Sequence, residues 1–353
     1  MDFASDNAAG ASRKILDALI EANSGTAAAY GADSYTKRAE DLLKDIFARD
    51  VKVFLVSTGT AANALALSAL TPPWGTVFCH EDGHIFTDEC GAPELFTGGA
   101  KLAAIGGADG KITPEALEAA IAHHPRGFAH VTQPAALSLS QATECGTIYN
   151  VAEVQALTAV ARAHGLRVHM DGARFANALM TLGCSPADIT WKAGVDVLCF
   201  GATKNGALAC EAVIFFDPAL ADAFLFRRKR AGHTLSKGRY LGAQMAAYLA
   251  DDHWLHLATK ANAAAKRLAE GLEAAGIGLV WPRQANEVFA QLPAPVHAAL
   301  QAAGAIYHPW TARCLTPPPQ GQAAVRLVTS FATSLAEIDR FLAVVRENLP
   351  SSK

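Results

Sequence analysis

Hydrophobic and polar positions repeat with two periods along the chain, and the period changes several times between residues 12 and 255. Leu42, Leu43, Ile46 and Phe47 recur at helical spacing and predict a helix over 36–49, and the β-branched run that follows predicts a strand over 51–56. The same patterns predict further helices over 12–22 and 61–70, and strands over 76–79, 127–132, 166–170, 195–200 and 212–216. Alternating strands and helices are typical of a mostly parallel sheet covered by helices, so we expect an α/β fold.

The pattern changes after about residue 255. An Ala-rich helix is predicted over 257–275 and a closing helix over 334–347, with short strands between them over 278–280, 287–292, 305–308 and 324–329. We therefore predict a large α/β domain over 13–255, and a smaller α+β domain built from 1–12 and 256–353. A chain of 353 residues suits two domains, because single cores rarely grow beyond about 250–300 residues.

Composition excludes several classes of protein. With 51% hydrophobic and 18% charged residues, the chain is neither disordered nor a coiled coil. The 30 basic and 33 acidic residues give a net charge of -3, so the chain lacks the excess positive charge that binds nucleic acid, and we expect no nucleic-acid partner. The N-terminus lacks a signal-peptide pattern, and the most apolar stretch, 61–70, is far shorter than the ~20 residues that span a bilayer, so we expect a cytoplasmic protein without a membrane partner. Seven scattered cysteines without a C-x-x-C predict free thiols, and we expect no metal.

Two segments that follow predicted strands carry candidate chemistry. Ser57, Thr58, Gly59 and Thr60 open a helix, where free amides and hydroxyls could bind a phosphate, or where Thr58 could simply cap the helix. Asp171 stands at the tip of a predicted parallel strand, where open α/β sheets bind ligands. The alternative is that Asp171 caps the next helix and Arg174 is its solvated partner.

A third segment adds Lys204, which lies among small residues directly after a buried strand. That setting leaves room around the amine for a planar ring. Pyridoxal phosphate needs a lysine to form a Schiff base, a carboxylate at the pyridine nitrogen and a phosphate cup. Lys204, Asp171 and residues 57–60 supply these three in a plausible order.

Seven stretches resemble one family of enzymes. They are DFASDN at 2–7, AYGAD at 29–33, STGTAAN at 57–63, GHI at 83–85, MDGARFANA at 170–178, GATKNG at 201–206 and VRLVTS at 325–330. On these stretches the sequence resembles the fold-type I pyridoxal-phosphate enzymes, and among them the low-specificity L-threonine aldolases, with the branch that includes phenylserine aldolase. The resemblance extends from residue 2 to about 345.

The resemblance implies a role for each matching residue. Lys204 would form the Schiff base, Asp171 would bind the pyridine nitrogen, and the phosphate cup would be Thr58, Gly59 and Thr60. His84 would stack on the cofactor ring, and the substrate carboxylate would be bound by Arg174 and Arg326 with Ser5, Arg174 lying at the cofactor as well.

The segment 227–233 resembles a basic loop of the family that reaches a phosphate across a subunit interface. On this basis Lys229 is expected at the cofactor of a homo-oligomer, a tetramer arranged as a dimer of dimers. A solvated basic face is the alternative for this segment.

The sequence departs from the family in the segment 139–146. The family places a histidine there, four positions after a leucine, to contact the β-hydroxyl of the substrate. Thr143 occupies the counted position, and the nearest ionisable group is Glu144, which we therefore expect near the substrate.

The resemblance implies a retro-aldol lyase. Its substrates would be β-hydroxy-α-amino acids, L-threonine or L-allo-threonine and phenylserine-type compounds, and its products glycine and an aldehyde. We expect the proton of the β-hydroxyl to go to His84, then in order of preference to a water or to Glu144. A β-eliminating lyase, an aminotransferase and a non-catalytic scaffold are the alternatives.

Overall fold

The structure, a computed structural model, describes residues 1–350. These residues form ten strands and thirteen α-helices, besides short 3-10 turns. The strands are β1 Lys52–Val56, β2 Gly75–His80, β3 Lys101–Ile105, β4 Gln133–Ser140, β5 Arg167–Gly172, β6 Val197–Gly201, β7 Glu211–Phe215, β8 Glu287–Pro293, β9 His308–Pro309 and β10 Gln322–Val328. The helices are α1 Arg13–Ala22, α2 Ser34–Phe47, α3 Gly59–Leu70, α4 His84–Thr87, α5 Ala92–Thr97, α6 Pro114–Ala122, α7 Val151–Ala163, α8 Phe175–Leu182, α9 Phe224–Arg230, α10 Arg239–Leu249, α11 His253–Ala274, α12 Ala294–Ala302 and α13 Leu335–Glu347.

A seven-stranded sheet forms the centre of the fold. Its strand order is β1-β7-β6-β5-β4-β2-β3, and every strand is parallel to the others except β7, which is antiparallel to both its neighbours. Strands β2 and β6 are buried along their whole length, because helices cover both faces of a mostly parallel sheet. The predicted α/β fold with a mostly parallel sheet is confirmed.

A second, three-stranded antiparallel sheet has the order β8-β10-β9. Helices α11, α12 and α13 share a separate apolar cluster with it. The N-terminal residues belong to this cluster: the Phe3 amide donates to the Ile306 carbonyl at 2.8 Å, and the rings of Phe3 and Phe341 are 5.2 Å apart. Division into domains at residues 12 and 255 stays a prediction.

Four predictions of local structure were wrong or incomplete. Residues 127–132 are a turn, since the Gln133 side chain bonds the Gly127 amide and the Phe128 and Val131 carbonyls, and the strand begins only at Gln133. Segment 278–280 makes a single bridge, from Leu279 to Ala290. The strand predicted over 305–308 is reduced to a bridge at Ile306 and to β9 at His308–Pro309, and the basic segment expected as a loop is the end of helix α9. Strand β3 was not predicted.

The exit of strand β6 is fixed by aromatic packing. Phe200 is fully buried, and its ring lies 5.4 Å from that of Trp254, 5.9 Å from Phe175 and 6.3 Å from Phe47. Edge-to-face contacts of this kind stabilise one side-chain arrangement. None of the helices in residues 1–350 combines the length and the apolar character that crossing a membrane requires.

Candidate active site

A cavity of about 390 Å³ lies at the edge of the large sheet where the parallel strands end. Thr58 and Thr60 follow β1, Asp171 ends β5 and Lys204 follows β6. His84 and Glu144 follow β2 and β4. All six line the cavity, because carboxyl ends of parallel strands meet at one edge.

The N-terminus of helix α3 forms one end of the cavity. Thr58 caps the helix, and its Oγ1 accepts from the Ala61 amide at 3.2 Å. The amides of Gly59 and Thr60, in the first turn, have no partner inside the helix. A Cβ placed on Gly59 would meet no atom within 4 Å, so the backbone there is open to a ligand. Free amides at the positive end of a helix dipole bind anions such as phosphate.

A chain of hydrogen bonds joins Asp171 to His84 through two residues that the sequence analysis did not assign. Asn63 Nδ2 donates to Asp171 Oδ2 at 2.9 Å and to Glu89 Oε1 at 2.8 Å. Glu89 Oε1 also lies 2.8 Å from His84 Nδ1. Because Nδ1 is engaged by Glu89, Nε2 is the nitrogen of His84 that remains for other contacts.

These contacts set the charges of the site. Burial alone would raise the pKa of Asp171, but the positive charges of His84 and Lys204 lower it below its usual range. Burial alone would lower the pKa of His84, but its bond to Glu89 and the charges of Glu144 and Asp171 raise it to about 8. The Asp171 carboxylate is therefore ionised at neutral pH, and the imidazole is mostly protonated.

The turn that carries Lys204 is held from two sides. A Cβ on Gly201 would lie 2.5 Å from the Ala173 carbonyl oxygen, so only glycine allows the strand to pass so close to the Asp171 turn. Glu211, at the start of β7, accepts from the Ala202 amide at 3.0 Å. Burial raises the pKa of Glu211 to about 7.

Arg174 is buried between two carboxylates. Its Nε and Nη2 donate to Asp6 at 2.8 and 3.1 Å, and its Nη1 lies 3.4 Å from Glu287 Oε1. Ser5, predicted at the substrate, caps the short turn Asp6–Ala8 by accepting from the Asn7 amide at 3.1 Å, and Asn7 is the residue of this turn that lines the cavity.

A second cavity, of about 420 Å³, adjoins the first through Glu144, which lines both. Arg326 and Trp310 also line it, and the Arg326 guanidinium lies 4.5 Å from the centre of the Trp310 ring. The buried Nε of Arg326 has no hydrogen-bond partner among residues 1–350. Thr143 is buried and bonded to Thr147 at 2.7 Å, so Glu144 and not Thr143 faces the cavities.

Lys229 lies outside the cavity of its own chain. Its Nζ is 5.1 Å from the centre of the Tyr30 ring. Neighbouring Arg228 has contacts within the chain, since its Nη1 donates to the Leu55 carbonyl at 3.3 Å and its guanidinium lies over Phe54. His233, beyond the helix, is 3.3 Å from the Ser57 hydroxyl that opens the cup.

The structure therefore brings most of the predicted site residues to one cavity. Lys204, Asp171, His84, Thr58, Gly59, Thr60 and Glu144 line it, whereas Ser5, Arg174, Arg326 and Lys229 do not. Sequence reasoning missed Asn63, Glu89, Glu211, Asp6 and Glu287. Asn63 and Asp6 stood inside motifs already quoted, and apolar surroundings marked Glu211 and Glu287 as acids that burial would perturb.

Comparison with known proteins gives a consistent result. The model of the beta-eliminating lyase family matches residues 2–295. A low specificity L-threonine aldolase of Pseudomonas aeruginosa is 46% identical over 303 residues, which are 86% of this chain and 87% of the relative. Another, from a Pseudomonas species, is 41% identical over 98% of this chain and 96% of its own. A solved threonine aldolase of Leishmania major is 32% identical, with a TM-score of 0.91 over 98% of both chains.

Proposed function

The chain belongs to the low-specificity L-threonine aldolases, a family of fold-type I pyridoxal-phosphate lyases, and we propose from this that it cleaves L-threonine and L-allo-threonine to glycine and acetaldehyde. The observation that carries the proposal is the meeting of Lys204, Asp171 and the N-terminus of α3 around one cavity. These are the amine, the carboxylate and the anion site that the cofactor requires.

The donor set fits pyridoxal 5′-phosphate. The free amides and hydroxyls of Thr58, Gly59 and Thr60 would hold the phosphate, and Asp171, kept ionised by His84 and Lys204, would hold a proton on the pyridine nitrogen. Lys204 would bind the aldehyde carbon. The bound cofactor supplies an electron-withdrawing ring for the bond that breaks.

The chain's own residues orient the substrate and move its proton. Arg174 and Arg326 are proposed to bind the substrate carboxylate, and the unpartnered buried Nε of Arg326 supports this role. His84 is proposed to take the β-hydroxyl proton on Nε2, while Glu89 holds Nδ1. An ordered water and then Glu144 are the other candidates for this base.

We propose that aromatic β-hydroxy amino acids such as L-phenylserine are also accepted. The second cavity supports this, because Trp310 and His308 line it next to Glu144. Trp310→Leu should lower kcat/KM for L-phenylserine about 10-fold relative to L-threonine, since aromatic contacts contribute about 0.5–1.5 kcal/mol beyond buried area. Equal losses on both substrates would contradict the assignment of this cavity.

Lys229 is proposed to reach the cofactor of a second subunit in a homo-oligomer, a tetramer. Exposed Phe226 and Leu225 on α9, the helix that carries Lys229, support an interface there. Phe226→Asp should lower the mass measured by light scattering and the activity together. A wild-type monomer with full activity would refute this proposal.

We propose a cytoplasmic location, which the seven free thiols support because they need a reducing compartment.

One experiment tests the function and its rivals. The purified protein with added pyridoxal phosphate is incubated with L-threonine and L-allo-threonine, while acetaldehyde, 2-oxobutanoate, ammonia and glycine are measured. Acetaldehyde and glycine in equal amounts are expected. 2-Oxobutanoate and ammonia would favour a β-eliminating lyase, because loss of water from threonine keeps all four carbons. Dependence on an amino-group acceptor would favour an aminotransferase, and absence of any product a non-catalytic role.

A further inference from the structure

The buried surroundings of Arg174 contain more negative than positive charge. Asp6 accepts two hydrogen bonds from the guanidinium, and Glu287 approaches the remaining Nη1 to 3.4 Å. All three side chains are almost completely buried. A substrate carboxylate on Arg174 would be the third anion around one buried cation, and such an excess is unfavourable where water cannot screen it.

The two carboxylates are not equivalent. Asp6 accepts from Arg174 and also from Asn286 Nδ2 at 3.0 Å, so its charge is well bonded. Although burial alone would raise the pKa of Asp6, these bonds and the charges of Arg174 and Lys204 lower it. Asp6 therefore stays ionised.

Glu287 lies at the start of β8, and neither of its carboxylate oxygens has a hydrogen-bond partner among residues 1–350. Four charged groups face it from other elements. Arg174 before α8 and Arg326 on β10 attract its negative charge, while Glu144 after β4 and Asp6 near the N-terminus repel it. Burial is the largest influence and raises the pKa of Glu287 to about 7.

We propose that Glu287 is a positioning residue for the substrate carboxylate, which it admits to Arg174 by taking one proton from solvent onto its own carboxylate as the substrate binds. The neutral acid no longer repels the substrate. Its new O–H can donate a hydrogen bond to a carboxylate oxygen of Asp6 or of the substrate. The inference rests on the proposed function, because it takes the substrate carboxylate to bind Arg174.

The proposal couples ligand affinity to pH with a definite sign. Near pH 8 most Glu287 is ionised before binding, so the ligand must bring about uptake of about one proton, whereas near pH 6 the proton is already present. Affinity for a carboxylate ligand should therefore weaken about 10-fold between pH 6 and pH 8 through this group alone.

The test uses glycine, the proposed product, which has no Cα–Cβ bond to break. Glycine is titrated calorimetrically into the holoenzyme and into Glu287→Gln, at about pH 6 and pH 8, in two buffers of different ionisation enthalpy. Proton changes at the glycine amine and at the cofactor are common to wild type and Glu287→Gln. The difference in proton uptake between the two proteins therefore reports the protonation of Glu287. Wild type should take up about one proton more than Glu287→Gln at pH 8 and almost none more at pH 6.

Controls separate this role from a structural one. Glu144→Gln removes a charge that repels Glu287, so the pKa of Glu287 should fall, and the extra proton uptake should persist at pH 8 and increase at pH 6. If Glu287→Gln loses the cofactor absorbance, Glu287→Met fills a similar volume without a titrating group. Equal proton uptake in wild type and the Glu287 variant at pH 8, or loss of the uptake in Glu144→Gln instead, overturns the proposal.

The same protein preparation distinguishes a wrong role for Glu287 from a wrong proposed function. An enzyme that releases acetaldehyde from L-threonine, yet binds glycine without the extra proton, refutes only the role of Glu287. A protein that neither binds glycine nor releases acetaldehyde refutes the proposed function.

Discussion

Removing the charge of Glu89 should move the pH dependence of catalysis toward acid. In the native site burial would lower the pKa of His84, but the bond to Glu89 and neighbouring charges raise it to about 8. As a base His84 must be neutral, so only about one tenth of the enzyme is competent at pH 7. In Glu89→Gln the bond that opposes the effect of burial is weakened, so the pKa of His84 should fall. The acidic limb of the plot of kcat against pH should then move down by at least about one pH unit, equivalent to about 1.4 kcal/mol.

The assay is acetaldehyde release from saturating L-threonine between about pH 6 and pH 9. The plateau should fall in Glu89→Gln, because the amide holds Nδ1 less firmly, but the fraction of the plateau reached at pH 7 should rise several-fold. Glu94→Gln is a suitable control, since Glu94 lies on the next helix and, within residues 1–350, Glu89 is the carboxylate that forms a hydrogen bond or ion pair with His84. An unchanged limb in Glu89→Gln, or a limb moved toward higher pH, would refute His84 as the base.

Other changes test the cofactor site and its support. Lys204→Ala should abolish the visible absorbance of covalently bound cofactor and lower turnover by orders of magnitude, and a spectrum like that of wild type would sink the assignment. Asp171→Ala should lower kcat far more than it lowers the unfolding free energy, because the ring nitrogen loses its partner; unchanged kinetics would make Asp171 a cap only. Asn63→Ala removes two bonds to carboxylates and should cost about 2–3 kcal/mol in urea unfolding, against about 1 kcal/mol for Ser68→Ala on the same helix. Phe200→Ala should cost about 3–5 kcal/mol, and a loss below 1 kcal/mol would contradict the role of the aromatic cluster.

The sequence predicted the positions of functional residues well where these residues directly follow a strand. Strands β1, β5 and β6 are short and mostly buried, and residues at or directly after their ends reach the cavity as expected. The resemblance drawn from the seven motifs is confirmed by relatives that are 46% and 41% identical. Lys204 and Asp171 were predictable because each stands at a strand exit, where the fold leaves few alternatives.

Contacts between distant segments were not predictable in the same way. Asp6, Arg174 and Glu287 meet although 168 residues separate the first pair. No local period carries such information, since it depends on how the second sheet packs against the first. The strand expected over 127–132 failed for a local reason, because the bonds that hold the turn come from a glutamine that pattern analysis treats as merely polar.

One reversed strand changes the chemistry of the sheet edge. Five of the six parallel strands, all but β3, contribute residues at or after their ends to the cavity, whereas β7 is antiparallel and contributes its first residue, Glu211. Glu211 pairs with Val56 on one side and Gly201 on the other, so its carboxylate lies between the phosphate cup and the lysine turn. A parallel strand in this place would put its start at the opposite edge and leave the Ala202 amide without this acceptor. The direction of β7 is thus what allows an acid so early in the strand to support the turn of Lys204.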